Sequence, residues 1–374
     1  MKAPESCRAA VLVANRGPME IVDVRLPEKL EPGAVLVRML AATVCATDVH
    51  LWEGSVGSKK AAARLPVILG HETVGEVLQF TGEPCDSLGN SLQEGDRIIW
   101  THGYCGRCSE CVVEQTPALC ENRRGYMAMS PAEYPYLNGG FAEYGYVYPT
   151  SGRLKVPAIL PDEVAAASSC ALRTMVNAFD QLGRIEERHT VIIQGAGPLG
   201  LFSTAMAATM GPRRIIVIGG PADRLSLARQ WSADHTIDVT ATSADERLSQ
   251  IVELTNGRGA DIVIEVSGVP AAFTEGVAML RPGGRYLIVG QIHNKDIPFN
   301  PSALVMKQAK LIGSFSGAVN HYARALTFLE THANRFNWAD MITSREPLSN
   351  INEAFARMRN YQDIKPAIIF DQPT

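Results

Sequence analysis

Residues 191–200 read VIIQGAGPLG: an apolar run, then Gly195, Gly197 and Gly200 in the spacing G-x-G-x-x-G, then a stretch of small residues. An apolar run closed by glycine and followed by helix-forming residues predicts a strand, a tight turn and a helix. In that setting the three glycines have separate uses. One permits the turn, one lets the backbone approach a pyrophosphate, and one lets the helix pack closely on the strand. The helix start adds free N–H groups and a dipole that favours phosphate. Gly195, Gly197, Pro198, Leu199 and Gly200 are therefore expected to hold a dinucleotide, with glycines serving packing alone as the plainer alternative.

Outward from this turn the same rhythm repeats. RRIIVIGG (213–220), ADIVIEVSG (260–268) and GRYLIVGQI (284–292) are apolar runs separated by helical stretches such as ADRLSLARQWSA and AAFTEGVAMLRPGG. Alternating strands and helices predict a doubly wound parallel sheet with helices on both faces, a Rossmann arrangement, over residues 166–308. Residues 1–165 differ. RAAVLVANRG, MEIVDVRLP, GAVLVRMLAATVC, VGEVLQF and DRIIWTHG alternate with turn residues and predict a β-rich domain. Residues 309–374 hold two helical stretches, HYARALTFLETH and NINEAFARM, and a closing strand, KPAIIF. A length of 374 residues suits two domains.

Composition narrows the function. A net charge of −4 from 35 basic and 39 acidic side chains, without long basic runs, gives no reason to expect nucleic acid. The uncharged stretch from Val191 to Pro212 is long enough to span a bilayer, but glycine and proline break it and the strand–turn–helix reading accounts for it. The N-terminus lacks the longer apolar region and cleavage site of a signal peptide, so a cytoplasmic, reducing location with no membrane partner is expected.

That location bears on the cysteines. CGRCSECVVEQTPALC places Cys105, Cys108, Cys111 and Cys120 in a turn-rich stretch. Close thiolates in such a loop suit a closed, four-cysteine structural zinc, with an iron–sulfur cluster or redox disulfides as alternatives. Four protein ligands leave no place for a substrate, so chemistry has to lie elsewhere. Cys45, His71 and Cys170 offer two thiolates and an imidazole, the donor set of a catalytic zinc with a fourth position open. Spacing alone does not assemble three residues so far apart, and each is by itself an ordinary buried Cys or His.

Here the residues resemble a family, the zinc-dependent medium-chain alcohol dehydrogenases. The resemblance runs over nearly the whole chain: VCATDVH, GHETVGEV, the four-cysteine lobe, CALRT, GAGPLG and GADIVIEVSG…LRPGGRYLIVG occur in order. It implies a GroES-like β-rich catalytic domain interrupted by the Rossmann domain and completed by the C-terminal segment. It further implies one catalytic and one structural Zn2+, NAD or NADP, a small alcohol or carbonyl substrate, and a homodimer or homotetramer. Carried over, Cys45, His71 and Cys170 match the catalytic zinc ligands, and Glu72 the acid beside them. Thr47 matches the hydroxyl that takes the alcohol proton, and His50 the histidine that passes it on. Thr174 matches a residue near the nicotinamide, and Lys365 a basic residue for the pyrophosphate. Such a site would interconvert an alcohol, secondary or bulky, and its ketone or aldehyde by hydride transfer. A zinc-independent quinone or enoyl reductase, or a nucleotide-binding scaffold with one structural zinc, are the competing readings.

Three departures stand out. The last gap in the cysteine lobe has eight residues, where seven is usual. The loops LWEGSVGSKKAAARLP and ENRRGYMAMSPAEYPYLNGG look long, and Trp52 in the first is either a pocket wall or loop packing. Finally, the strand RRIIVI ends in Gly219 rather than the acid that binds the ribose of NAD. With Arg224 just downstream, a missing anion and a nearby cation lean toward NADP.

Overall fold

The computed structural model describes residues 4–55, 65–293 and 295–370. The chain forms two compact units, residues 1–173 with 316–374, and residues 174–315. Both boundaries fall a few residues C-terminal of those expected. The first lies inside a helical run, 162–182, so the backbone stays regular where the composition changes.

The first unit begins with β1 (Ser6–Leu12), β2 (Met19–Arg25), β3 (Val35–Thr43) and β4 (Val67–Ile68). It continues through β5 (Glu72–Phe80), β6 (Arg97–Gly103), β7 (Tyr144–Val147) and β8 (Ser151–Lys155). The second unit holds β9 (Thr190–Gln194), β10 (Arg214–Gly219), β11 (His235–Asp238), β12 (Ala260–Glu265), β13 (Leu280–Ile288) and β14 (Lys310–Gly313). The chain then rejoins the first unit with β15 (Ile342–Glu346) and β16 (Lys365–Ile369).

In the second unit every strand pair is parallel, in the order β11-β10-β9-β12-β13-β14. The order reverses between β9 and β12, the place where such sheets bind nucleotides. The central strands β9 (TVIIQ) and β12 (ADIVIE) are buried at every residue, which explains their unbroken apolar character. This is the doubly wound sheet that the glycine turn predicted. The stretch from Val191 to Pro212 is its first strand, turn and helix, and no helix among the described residues is long and apolar enough to cross a membrane.

The first unit is β-rich. Its larger sheet runs β15-β16-β3-β5-β6-β8, with β7 also on β3, and β2-β1-β4 form a smaller antiparallel sheet. β16 lies antiparallel to β3, pairing Ala367 with Thr43, so the C-terminal strand belongs to the same sheet as the N-terminal ones. Aliphatic side chains of β1, β3, β5 and β6 build the core together with Phe141, Tyr146 and Phe355. Part of the long loop before His71, residues 56–64, lies outside the described residues.

Candidate active site and metal centres

Strand pairing does the first part of the assembly that sequence spacing leaves open. β3 and β5 are antiparallel with Thr43 opposite Glu72. Cys45, two residues beyond Thr43, and His71, one before Glu72, therefore emerge at the same sheet end. Cys45 caps the helix Ala46–Glu53, and Cys170 enters from a wide, π-type turn, Ser168–Leu172, of the kind often found at functional sites. The ligand atoms of Cys45, His71, Glu72 and Cys170 all lie within 4.8 Å of one another.

Asp48, not singled out from the sequence, organises this set. It is fully buried in the first turn of the helix after Cys45. Its Oδ2 accepts the Cys45 N–H at 2.8 Å and its Oδ1 the Gly70 N–H at 3.2 Å. Oδ1 also lies 3.2 Å from Nδ1 of His71. One carboxylate thus ties both ligand-bearing loops and, by engaging Nδ1, leaves Nε2 as the ligand nitrogen. The available signal was an acid three residues past Cys45, where a helix cap places a side chain over the preceding backbone.

Lys365 requires a correction. Its ammonium is 2.5 Å from Glu72 Oε2, with the two side chains only 2% and 0% exposed, and it donates to the Val44 carbonyl at 3.3 Å. A cation so enclosed is committed to Glu72 and has no face to offer a pyrophosphate. Thr43 also donates to Glu72 Oε2.

The electrostatics fit a divalent cation. The hydrogen bond with Cys170, with burial, pushes the Cys45 thiol up to about 12. The same bond holds Cys170 below its ordinary value. Burial pushes Glu72 up to about 7 against the pull of Lys365. For His71, burial favours the neutral ring, but the Asp48 and Cys45 charges outweigh it and raise the imidazole. Glu72 Oε1 is buried without a hydrogen-bond partner. Two thiols, an imidazole and an orphaned carboxylate oxygen make a donor set that fits zinc.

Thr47 and His50 lie half-buried on the helix Ala46–Glu53, three residues apart and so on one face. His50 Nδ1 is 3.3 Å from Ser55 Oγ, which donates to Glu53 at 3.2 Å. Trp52 is held by packing: its indole N–H donates to the Gly17 carbonyl at 2.7 Å, and the Arg359 guanidinium stacks over its ring at 4.4 Å.

Cys105, Cys108, Cys111 and Cys120 gather around the short helix Ser109–Val112, with all four sulfurs within 4.8 Å of one another. All eight cysteines are free thiols, so no disulfide staples this lobe. Cys108 Sγ lies 3.8 Å from Cys120 Sγ, and the Cys105 N–H donates to Cys120 Sγ at 3.4 Å.

The glycine turn belongs to the second unit, as do Thr174, Gly219 and Arg224. Gly195 has φ +124°, and a Cβ there would lie 3.0 Å from the Ser267 nitrogen. A Cβ on Gly200 would run into the Gly195 carbonyl, so both positions need glycine. Gly197 differs: the one atom near its hypothetical Cβ is Arg224 Nη1, at 3.9 Å. Gly197 caps the helix Pro198–Met210, whose first turn has no side-chain cap. An open face, uncapped N–H groups and a guanidinium alongside form a cradle that fits a phosphate. Thr174 is buried at the start of the unit, and Gly219 ends β10.

Two family models match the chain, an alcohol dehydrogenase GroES-like domain over residues 31–158 and a zinc-binding dehydrogenase domain over residues 198–331. A relative, the 5-exo-hydroxycamphor dehydrogenase of Pseudomonas putida, is 32% identical, over 96% of this chain and 98% of its own. An alcohol dehydrogenase of Thermotoga maritima superposes with a TM-score of 0.90 at 34% identity, covering 98% of this chain and all (100%) of that one. A zinc-binding dehydrogenase from Sinorhizobium meliloti 1021, solved bound to NADP, has a TM-score of 0.82 at 25% identity, over 98% and 100% of the two chains.

Proposed function

Because the chain belongs to the zinc-binding medium-chain alcohol dehydrogenases, a family of oxidoreductases, we propose that it interconverts a bulky or cyclic secondary alcohol and its ketone with zinc and a nicotinamide dinucleotide. The observation that carries this reading is the convergence of Cys45, His71, Glu72 and Cys170 around the buried Asp48. The substrate class is taken from the hydroxycamphor relative.

Cys45, His71 and Cys170 hold the catalytic zinc, with Glu72 beside it. The cysteines of the lobe hold a structural zinc. When bound, zinc supplies Lewis acidity at the substrate oxygen, and the nicotinamide takes up or returns the hydride. The protein's own part is orientation and proton handling. Asp48 fixes the imidazole, and Lys365 and Thr43 hold Glu72. Thr47 takes the alcohol proton through its hydroxyl, and His50, one helical turn on, relays it past Ser55 toward Glu53. Gly195 to Gly200 cradle the pyrophosphate, with Arg224 alongside. The proposal includes a homodimer or homotetramer in a reducing cytoplasm, where cysteines outside disulfides stay reduced and available to metal.

The test is reduced-nicotinamide absorbance across primary, secondary and cyclic alcohols, with and without a zinc chelator, paired with Cys45→Ser. Chelator-sensitive turnover that Cys45→Ser abolishes, while its circular dichroism stays unchanged, is expected. Full turnover by Cys45→Ser would remove the metal assignment. Absence of turnover together with one zinc per chain would favour a scaffold.

A further inference from the structure

The end of β10 carries Gly219 where a ribose-binding acid is expected, and the structure supplies a packing reason. A Cβ on Gly219 would lie 2.7 Å from Ala196 Cβ and 2.8 Å from Ala196 N, inside the glycine turn itself. No side chain fits. The missing acid is thus a consequence of close packing, and by itself carries no information about a phosphate on the ribose.

A carboxylate stands next to that position all the same. Parallel pairing sets Gly219 opposite Asp238, the last residue of β11. Residues paired across a ladder project from the same face of the sheet, so Asp238 rises one strand over from where a residue-219 side chain would rise. Its Oδ1 lies 3.4 Å from the place a Cβ on Gly220 would occupy, so the carboxylate leans across the end of β10. The Thr240 N–H and hydroxyl donate to Oδ1 at 2.8 and 2.7 Å, which fixes the group and favours its charged form. Oδ2 takes neither of those bonds, and the residue is half-exposed.

We propose that Asp238 stands in for the strand-end acid of β10, accepting a hydrogen bond from the adenosine ribose and repelling a 2′-phosphate, so that the chain selects NAD over NADP. This rests on the glycine turn being the dinucleotide site. Arg224 does not oppose it: the guanidinium lies beside Gly197, where the pyrophosphate is expected, and pyrophosphate is common to both cofactors. The lean toward NADP came from Gly219 and Arg224 alone. Once the first is explained by packing and the second by the pyrophosphate, the remaining discriminating charge is negative.

The test uses ADP-ribose and its 2′-phosphate, which carry the discriminating end of the cofactor and cannot be turned over. Calorimetry on the full-length, zinc-loaded protein should find ADP-ribose bound at least roughly tenfold more tightly, as expected of a carboxylate facing a phosphate in a half-exposed site. Asp238→Asn and Asp238→Ser should each shrink that ratio to within about threefold of unity, chiefly by tightening the 2′-phosphate ligand. Tighter binding of the 2′-phosphate by the unmodified protein overturns the proposal without need of any variant. So does an unchanged ratio in both variants. If neither ligand binds, the dinucleotide reading of the glycine turn falls, and Asp238's role falls with it, a result distinct from a shift in ratio.

Discussion

Replacing Lys365 by Met strands a buried carboxylate, and the size of the effect follows from the geometry. The Lys365–Glu72 pair is 2.5 Å long and its side chains are 2% and 0% exposed. Removing one partner of such a pair costs about 3–5 kcal/mol, because the other charge stays buried without its counter-ion. Thr43 keeps its hydrogen bond to Glu72 Oε2, so Glu72 is not wholly abandoned and the low end, about 3 kcal/mol, is expected. With a urea slope of about 3 kcal/mol/M, the midpoint should fall by roughly 1 M. Tryptophan fluorescence suits the measurement, since Trp52, Trp100 and Trp338 all lie in the unit that holds the pair. Adding Glu72→Gln to Lys365→Met should recover much of the loss by removing the stranded charge. The reasoning fails if Lys365→Met costs less than about 1 kcal/mol, the range of an exposed pair, or if the double variant is no more stable than the single. A pyrophosphate-binding lysine would behave in the opposite way, weakening NAD+ binding and leaving the nucleotide-free stability near that of the parent.

Asp48→Ala should lower zinc affinity at the Cys45 site by about 10- to 100-fold in competition with a chelating dye, the usual effect of losing a carboxylate behind a ligand histidine; a change under about threefold would show that His71 needs no such anchor. Cys108→Ser should reduce zinc content from about two to about one per chain and lower the thermal midpoint, as expected for a structural site, and an unchanged metal count would remove the lobe assignment. At Asp363, burial opposes ionisation, but Arg357 Nε and the Ser344 hydroxyl, each at 2.8 Å, outweigh it and hold the carboxyl below its ordinary value. A depressed acid stabilises the fold above its unfolded pKa, and that share is lost as pH falls through the folded one, so stability should drop below about pH 4. Asp363→Asn should flatten that drop, and equal acid slopes in parent and variant would contradict the assignment.

The sequence carried those parts of the fold whose signal is local. VIIQGAGPLG encodes a strand, a turn and a helix in consecutive residues, and Cys105 to Cys120 span one loop, so periodicity and spacing suffice for both. The proposed catalytic set was legible only through resemblance, because Cys45, His71 and Cys170 meet through β3–β5 pairing and a helix from another part of the chain. Lys365 was misplaced for the same reason in reverse. Its counter-ion, Glu72, is distant in sequence, and nothing in DIKPAIIF distinguishes a buried lysine from a phosphate-binding one. Asp48 was overlooked because burial, not spacing, makes a helix-capping acid important. Gly219 was legible as an absence, but the crowding against Ala196 that explains it exists only in three dimensions.

Charge balance ties the corrected Lys365 to the metal. The buried neighbourhood holds four groups that are anionic when deprotonated: Cys45, Cys170, Glu72 and Asp48. With His71 counted as the neutral ring that binds metal, the other buried cations of this unit that act on the Cys45 and Cys170 thiols are Lys365 and Arg173, the latter held by the Ser169 carbonyl and the Tyr322 ring. That leaves an excess of two negative charges, which an interior of low dielectric does not tolerate. Protons can relieve it, as the weakened acidity of Cys45 and Glu72 indicates. A divalent cation relieves it with no proton at all and leaves His71 neutral, the form in which imidazole binds metal. Lys365 as a pyrophosphate ligand would be taken out of this sum and leave the site three charges short. Its burial against Glu72 is therefore a condition for the two thiolates to ionise together, and its removal should weaken metal binding as well as the fold.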